Sequence, residues 1–323
     1  MIIKLIQLIP EGTKIDFFGH RFYGLLASFI IIGGTIFCLA TKGLNFGIDF
    51  TGGTLIEIAV EAEPDMAGLR HDLNGLGLGD ISIQEFGAPN DILVRMPQQP
   101  GGVEAQQAAI DSVHKTITAK YGTGKVDFRR MEFVGPQVGE ELKKTAMWAI
   151  LFSMIGIMGY VWVRFEWQYG VGAIVALIHD VVGTVGLFSF TQMQFDLATL
   201  AAVLLVAGYS INDTVIIFDR VRENLRKYRK TPVGDMINLS INQTLNRTAM
   251  TAITTMLALL ALYLFGGEVI RGFVAALFFG VAIGVHSSYF IACPPLHYLK
   301  VRRSMAGAVD KETDAAEAEA GAV

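Results

Sequence analysis

The stretch GYSINDTVIIFDR, residues 208–220, closes a long apolar run yet carries an asparagine and two aspartates. An aspartate at the centre of a membrane-spanning helix costs roughly 2.5–3.5 kcal/mol. Ionisable groups at that depth therefore face a bundle interior or a water-filled path. Three such places stand out: His179-Asp180 in the middle of the third apolar run, Asp213 two-thirds along the fourth, and His286 near the centre of the last. Two chemistries fit Asp213. It can hold a fixed structural hydrogen bond, or it can be a carboxylate that is costly to ionise in low dielectric and so binds and releases a cation. Tyr209, Ser210 and Asn212 make its turn polar, as expected of a helix surface facing partners or water. Arg247, in TLNRTAM at the start of the fifth run, could reach inward as a counter-charge, because Asp213 lies only about 9 Å inside the boundary at Asp219. It could equally be a positive anchor at the membrane surface. The same two chemistries stand for Asp180. His179 and His286 read as buried, hydrogen-bonded residues, and Asp219, beside Arg220, as an interfacial residue paired locally.

Other chemistries find little support. There is no His/Cys cluster, no Ser-His-Asp spacing and no metal constellation, so no enzyme activity, metal or organic cofactor is expected. Cys38 and Cys293 fall near opposite membrane faces and are not expected to form a disulfide. GIDFTGGT (47–54) nearly spells a phosphate loop, but Gly53 stands where lysine is required, and the segment follows a span and precedes a strand. Its glycines are expected to make a tight junction where the chain leaves the membrane.

The elements that must carry these residues are legible from hydropathy. The 323-residue chain is 52% hydrophobic and only 17% charged, with a mean hydropathy of +0.46, which places it among membrane proteins. A spanning helix needs about 20 mainly apolar residues. Six segments qualify: 22–40, 145–163, 169–190, 197–219, 248–265 and 272–298. Basic residues concentrate at 220–247, before the first span (Lys4, Lys14, Arg21), at Arg164 and after the last span (Lys300, Arg302, Arg303). The positive-inside rule then puts residues 1–21, the basic loop 220–247 and a disordered tail at 299–323 in the cytoplasm, with both termini inside. The segment 41–142, in which Asp and Glu outnumber Lys and Arg, falls outside.

Within that outer segment the periodicity turns from helical to alternating. TLIEIAVE (54–61) predicts a strand, PDMAGLRHDLNGLG (64–77) a helix begun by Pro64, and ISIQEF (81–86) and DILVRM (91–96) a strand pair around a GAPN turn. A helix over 103–122 and a strand over 126–134 complete a β-α-β-β-α-β order, the ferredoxin-like split arrangement. The fold class expected is thus a polytopic α-helical membrane protein, six transmembrane helices with an α+β ferredoxin-like periplasmic domain between helices 1 and 2. Gly280/Gly284, Gly156/Gly159 and Gly183/Gly186 mark close helix approaches.

GIDFTGGT (47–54), EFVGPQVGEEL (132–142), RFEW (164–167), ALIHD (176–180), GYSINDTVIIFDRVREN (208–224), QTLNRT (243–248) and YLFGG (263–267) together resemble the SecF family. Its members are subunits of the bacterial SecDF protein-export complex, related to the resistance-nodulation-division transporters. The resemblance runs from about residue 20 to 300. It implies a heterodimer with SecD, association with the SecYEG translocon and YajC, and an unfolded preprotein as substrate. Translocation would be driven by the proton, or sodium, motive force across the inner membrane, with no nucleic acid involved. It also implies that Asp213 is the ion-path carboxylate and Arg247 its membrane-embedded partner, and it matches His179 and Asp180 to the family's third-span His-Asp. Two rivals predict different features. A small-molecule exporter half of the same superfamily calls for a much larger outer domain. A passive translocon assembly factor would leave Asp213 a structural hydrogen bond that asparagine could replace.

Overall fold

The computed structural model describes residues 9, 10, 12–61, 63–299 and 301; apart from Leu299 and Val301, the expected tail lies outside them. Helix α1 (Arg21–Thr41) leads to a short helix α2 (Ile48–Thr51) and then to strand β1 (Gly53–Val60). Helix α3 (Met66–Asn74), strands β2 (Ser82–Phe86) and β3 (Ala88–Met96), helix α4 (Gly102–Tyr121) and strand β4 (Val126–Val134) follow. The chain then re-enters a bundle of long helices: α5 (Pro136–Arg164), α6 (Trp167–Thr191), α7 (Leu197–Lys227), α8 (Val233–Phe265) and α9 (Glu268–Ser287). A π-helical turn (Ser288–Ala292) and helix α10 (Pro294–Tyr298) end the last span. Among the described residues, six helices are long and apolar enough to cross a membrane. Helices α6 and α7 form the centre, whereas most of α1, α5 and α8 is exposed.

The four strands make one antiparallel sheet in the order β2-β3-β1-β4. Alternation sets its two faces. Ile56, Ile58, Ile83, Ile92, Val94 and Met96 point to one side and pack on Leu69, Leu73, Val113 and Ile117 of α3 and α4. Leu55 and Leu93 point to the other side, where Ile48 and Val134 cover them. The junction from α2 to β1 depends on glycine: Gly52 and Gly53 have φ of 71° and 121°, and a Cβ on Gly53 would lie 2.5 Å from the Met96 carbonyl oxygen.

Three local expectations are corrected. Helix α3 is begun by Asp65 rather than Pro64, its side chain accepting the Gly68 amide at 2.9 Å. The strands around GAPN continue into that motif, with Phe86 opposite Ala88 and the reversal left to Gly87 at φ 87°. The basic segment 220–247 is mostly helix: α7 runs on to Lys227 and α8 starts at Val233. Hydropathy marks the length inside hydrocarbon, whereas a helix continues until its backbone is capped or broken, here near Pro232.

Two fastenings tie the ends of the bundle. Where the α/β domain leaves α1, Gly47 donates to the Phe195 carbonyl and Phe195 to the Asn45 carbonyl, both at 2.8 Å. Asp49 accepts the Leu197 amide at 3.0 Å, and Phe46, Phe50, Phe188 and Phe195 interlock around this knot. At the opposite, basic end, Asn238, Asn242 and Asn246 form a ladder on α8 that grips the backbone at Ile9, Ile15 and Phe18. Phe18 donates to Asn238 at 2.7 Å and Ile9 to Asn246 at 3.4 Å. Asn242 both accepts from the Ile15 amide at 2.9 Å and donates to its carbonyl at 2.8 Å. The Phe17 ring then packs on Tyr289 of the π-helical turn, centroids 5.2 Å apart.

Candidate functional site

Asp213 sits on α7, whose first turn is capped by Asp196 accepting the Thr199 amide at 2.8 Å and whose last turn carries Arg226 and Lys227. Asp213 is 3% exposed, and its Oδ1 is buried without a hydrogen-bond partner. Arg247 lies on the neighbouring helix α8, in an exposed position. Among the described residues, however, no ion pair within 4.0 Å joins the two. Removing a carboxylate from water without compensating bonds is expensive, so such an oxygen is normally paired.

Asp180 presents the opposite case one layer away. It is fully buried and bonded to three helices: His179 Nδ1 on α6 lies 2.9 Å from it, and it accepts from Ser287 Oγ on α9 at 2.6 Å and from Ser210 Oγ on α7. His179 Nε2 is buried without a partner. His286 lies next to it, ring centroids 6.2 Å apart, with Nε2 2.9 Å from Ser28 Oγ on α1. Glycines let the helices close on this layer: a Cβ on Gly284 would sit 3.2 Å from Ser210 Cβ, and one on Gly280 only 2.1 Å from a Val206 methyl.

On the basic side of Asp213 a second polar layer crosses the bundle. Thr214 meets Ser288 at 2.9 Å, and Thr248, next to Arg247, meets the Tyr289 hydroxyl at 2.5 Å. Ser288 and Tyr289 open the π-helical turn. Pro294 and Pro295 lack amide protons, so the Phe290 and Ile291 carbonyls have no α-helical donor, and the Cys293 thiol donates to the Ser288 carbonyl at 3.1 Å. The widened turn brings the Ala292 carbonyl so near α6 that a Cβ on Gly172 would lie 2.3 Å from it.

The residues expected to make one polar surface around Asp213 point three ways. Tyr209 donates to Thr255 on α8 at 3.3 Å, Ser210 turns inward to Asp180, and Asn212 is exposed. Four residues within five positions of an α-helix cannot share a face at about 100° per residue. Asp219 is paired across the helix hairpin, not with Arg220: both its oxygens accept from Arg164 Nη2, at 2.9 and 3.0 Å. Ser28, Thr214, Thr248, Ser287, Ser288 and Tyr289 were not singled out from sequence. The Ser287-Ser288 pair inside an apolar span and the Pro294-Pro295 breaker were the available signals. Among the described residues no group of three His, Cys, Asp or Glu side chains could hold a metal ion.

Six apolar helices enclosing buried polar layers define a multi-pass membrane protein. The chain belongs to the SecD/SecF protein-export family: the family model described as "Protein export membrane protein SecD/SecF, C-terminal" matches residues 113–302, and the "SecD/SecF GG Motif" matches 39–63. It is 43% identical over 296 residues to the protein translocase subunit SecF of Rickettsia rickettsii, covering 92% of this chain and 95% of the relative. The SecF of Magnetococcus marinus is 43% identical over 310 residues, covering 95% and 100%. The crystal structure of SecDF from Thermus thermophilus, a translocon-associated membrane protein, superposes with a TM-score of 0.79 at 34% identity over 90% of this chain. A SecDF structure in a super-membrane-facing form gives 0.67 at 33% identity over 97%. The chain spans only 39% and 41% of those two SecDF chains.

Proposed function

We propose that this chain is the SecF half of a SecDF complex in the bacterial inner membrane, using an ion gradient to promote preprotein translocation. The partners in this reading are SecD, the SecYEG translocon, YajC and the unfolded preprotein. Both termini are cytoplasmic, and the domain within 41–142 is periplasmic. Its β-α-β-β-α-β order and β2-β3-β1-β4 sheet support a ferredoxin-like description. The reading involves no enzyme reaction and no cofactor beyond the coupling ion, H⁺ or Na⁺.

In this mechanism Asp213 takes up and releases the ion, with Arg247 as its counter-charge. The observation that carries it is the buried, unpartnered Oδ1 of Asp213, on the helix that packs against the one carrying Arg247. Neutralising the carboxylate removes its attraction for Arg247 and lets α7 and α8 repack, a local charge change acting on a bundle with more than one packing. Asp180 and His179 take part by holding α6, α7 and α9 in register, through Ser210 one turn from Asp213. Repacking of α7 would be passed to the outer domain through the knot at Phe195 and Leu197. The test is export stimulation in reconstituted vesicles, with a proton or a sodium gradient imposed separately, for the native chain and Asp213→Asn. The variant should assemble but lose gradient-dependent stimulation. Normal stimulation would sink the mechanism.

A further inference from the structure

We infer that the basic end of α7 and the α5–α6 turn form a binding site for the headgroup of an anionic phospholipid. A cavity of about 610 Å³ opens there, between Arg164 and the stretch of α7 from Asp219 to Lys227. Its two acids are already engaged: Asp219 accepts both bonds from Arg164, and Glu223 accepts from Arg220 Nη1 at 2.6 Å. Arg222 and Arg226, one helical turn apart on the same face, line the cavity with Lys227. Among the described residues none of these three has a carboxylate within 4.0 Å. Arg222, Arg226 and Lys227 therefore keep a positive charge that no acid among the described residues neutralises.

Depth selects the occupant. The cavity borders the turn that carries Trp162, Val163 and Trp167, exposed by 66%, 91% and 53%. Exposed tryptophans at the end of an apolar span sit at the level of lipid headgroups, and a cluster of arginines at that level attracts anionic lipid. Arg164 is stiffened for the task, lying over the Phe165 ring at 5.0 Å while Phe165 packs on Phe218. A phosphate seated between Arg222 and Arg226 would leave its acyl chains against Trp162 and Val163. This inference rests on the reading of these helices as membrane spans, but it needs neither an ion gradient nor an export substrate.

Native mass spectrometry of the full chain tests it, with phosphatidylglycerol as probe and phosphatidylethanolamine and inorganic phosphate as controls. The native chain should retain phosphatidylglycerol in preference to phosphatidylethanolamine. The pair Arg222→Gln/Arg226→Gln should bind it about thirtyfold more weakly, at about one surface charge's attraction per arginine. The charge-preserving pair Arg222→Lys/Arg226→Lys should keep most of the binding. Equal retention by the native and glutamine chains overturns the proposal, as does displacement of the lipid by inorganic phosphate. Loss of a co-purifying membrane protein with lipid retention unchanged overturns it in favour of a protein contact. If the glutamine pair does not assemble, melting of the native chain decides: phosphatidylglycerol must raise the melting temperature where phosphatidylethanolamine does not. Because the readout is binding alone, its failure leaves ion coupling at Asp213 untouched, and failure of ion coupling leaves this site standing.

Discussion

Two buried aspartates share the middle of this bundle and are treated in opposite ways. Asp180 is hydrogen-bonded from α6, α7 and α9 and exposes none of its surface. Asp213, one turn beyond Ser210, keeps an oxygen with no donor at all. A carboxylate whose acceptor positions are filled by protein has no vacancy for an exchanging ion, whereas one left unfilled gains from any cation that reaches it. In the proposed mechanism this contrast makes Asp180 the holding group and Asp213 the exchanging one.

Substitutions can break that contrast, and the largest expected effect is functional. Asp213→Asn should reduce gradient-driven stimulation of export in vesicles to its gradient-free level, while Asp180→Asn, which keeps an acceptor for Ser210 and Ser287, should retain a measurable part. Equal loss in both would erase the distinction. Next comes stability. Asp180→Leu strands three buried partners and should cost about 3–5 kcal/mol, whereas Asp213→Leu removes an unpartnered group and should be neutral or stabilising. Thermal denaturation in detergent orders the two, and a lower melting temperature for Asp213→Leu would reverse the assignment. Gly280→Ala, which drives a Cβ against Val206, should cost roughly 1–3 kcal/mol by the same measurement. Ser210→Ala, removing one of three partners, should cost about 1 kcal/mol.

The smallest effect belongs to the α/β domain and sharpens the contrast with a solvated carboxylate. The Gly68 amide, and behind it the Lys120 charge, hold the Asp65 carboxyl below its ordinary 3.8. Its contribution is complete above the unfolded-state value and is lost as pH falls through the lower folded one. Melting curves of the native chain and Asp65→Asn should therefore differ at neutral pH and converge on acidification. A gap that persists at low pH would assign Asp65 a role other than that of a charged cap.

The sequence made the spans readable because hydrocarbon thickness imposes a length on apolar runs, and it made the alternation of β1 readable because one side is buried in aliphatic core. Helix ends were not readable in the same way, since α7 and α8 continue as polar helices beyond any hydropathy limit. The polar residues of the fourth span announced chemistry, but the sequence does not say which neighbour each one faces. Ser210 reaches a partner 30 positions earlier and Ser287 reaches the same carboxylate across 107 positions. Arg247 was legible as a cation near Asp213, yet its separation from the carboxylate depends on how α7 and α8 are rotated. The resemblance pointed to the pair but could not give the distance between its members.

The asparagine ladder on α8 bears on the order in which the protein can be made. Residues 15 and 18 take their bonds from residues 242 and 238, separations of 227 and 220 positions. At about 5–20 residues per second, a ribosome needs roughly 10–45 seconds to cover that interval. For that time α1 can already lie in the bilayer while the segment before it has no docking surface, and Phe17 lacks Tyr289, which is synthesised later still. The basic end is therefore completed late: four spans and the start of α8 must be made before the segment ahead of α1 is held, and the last span before Phe17 finds Tyr289.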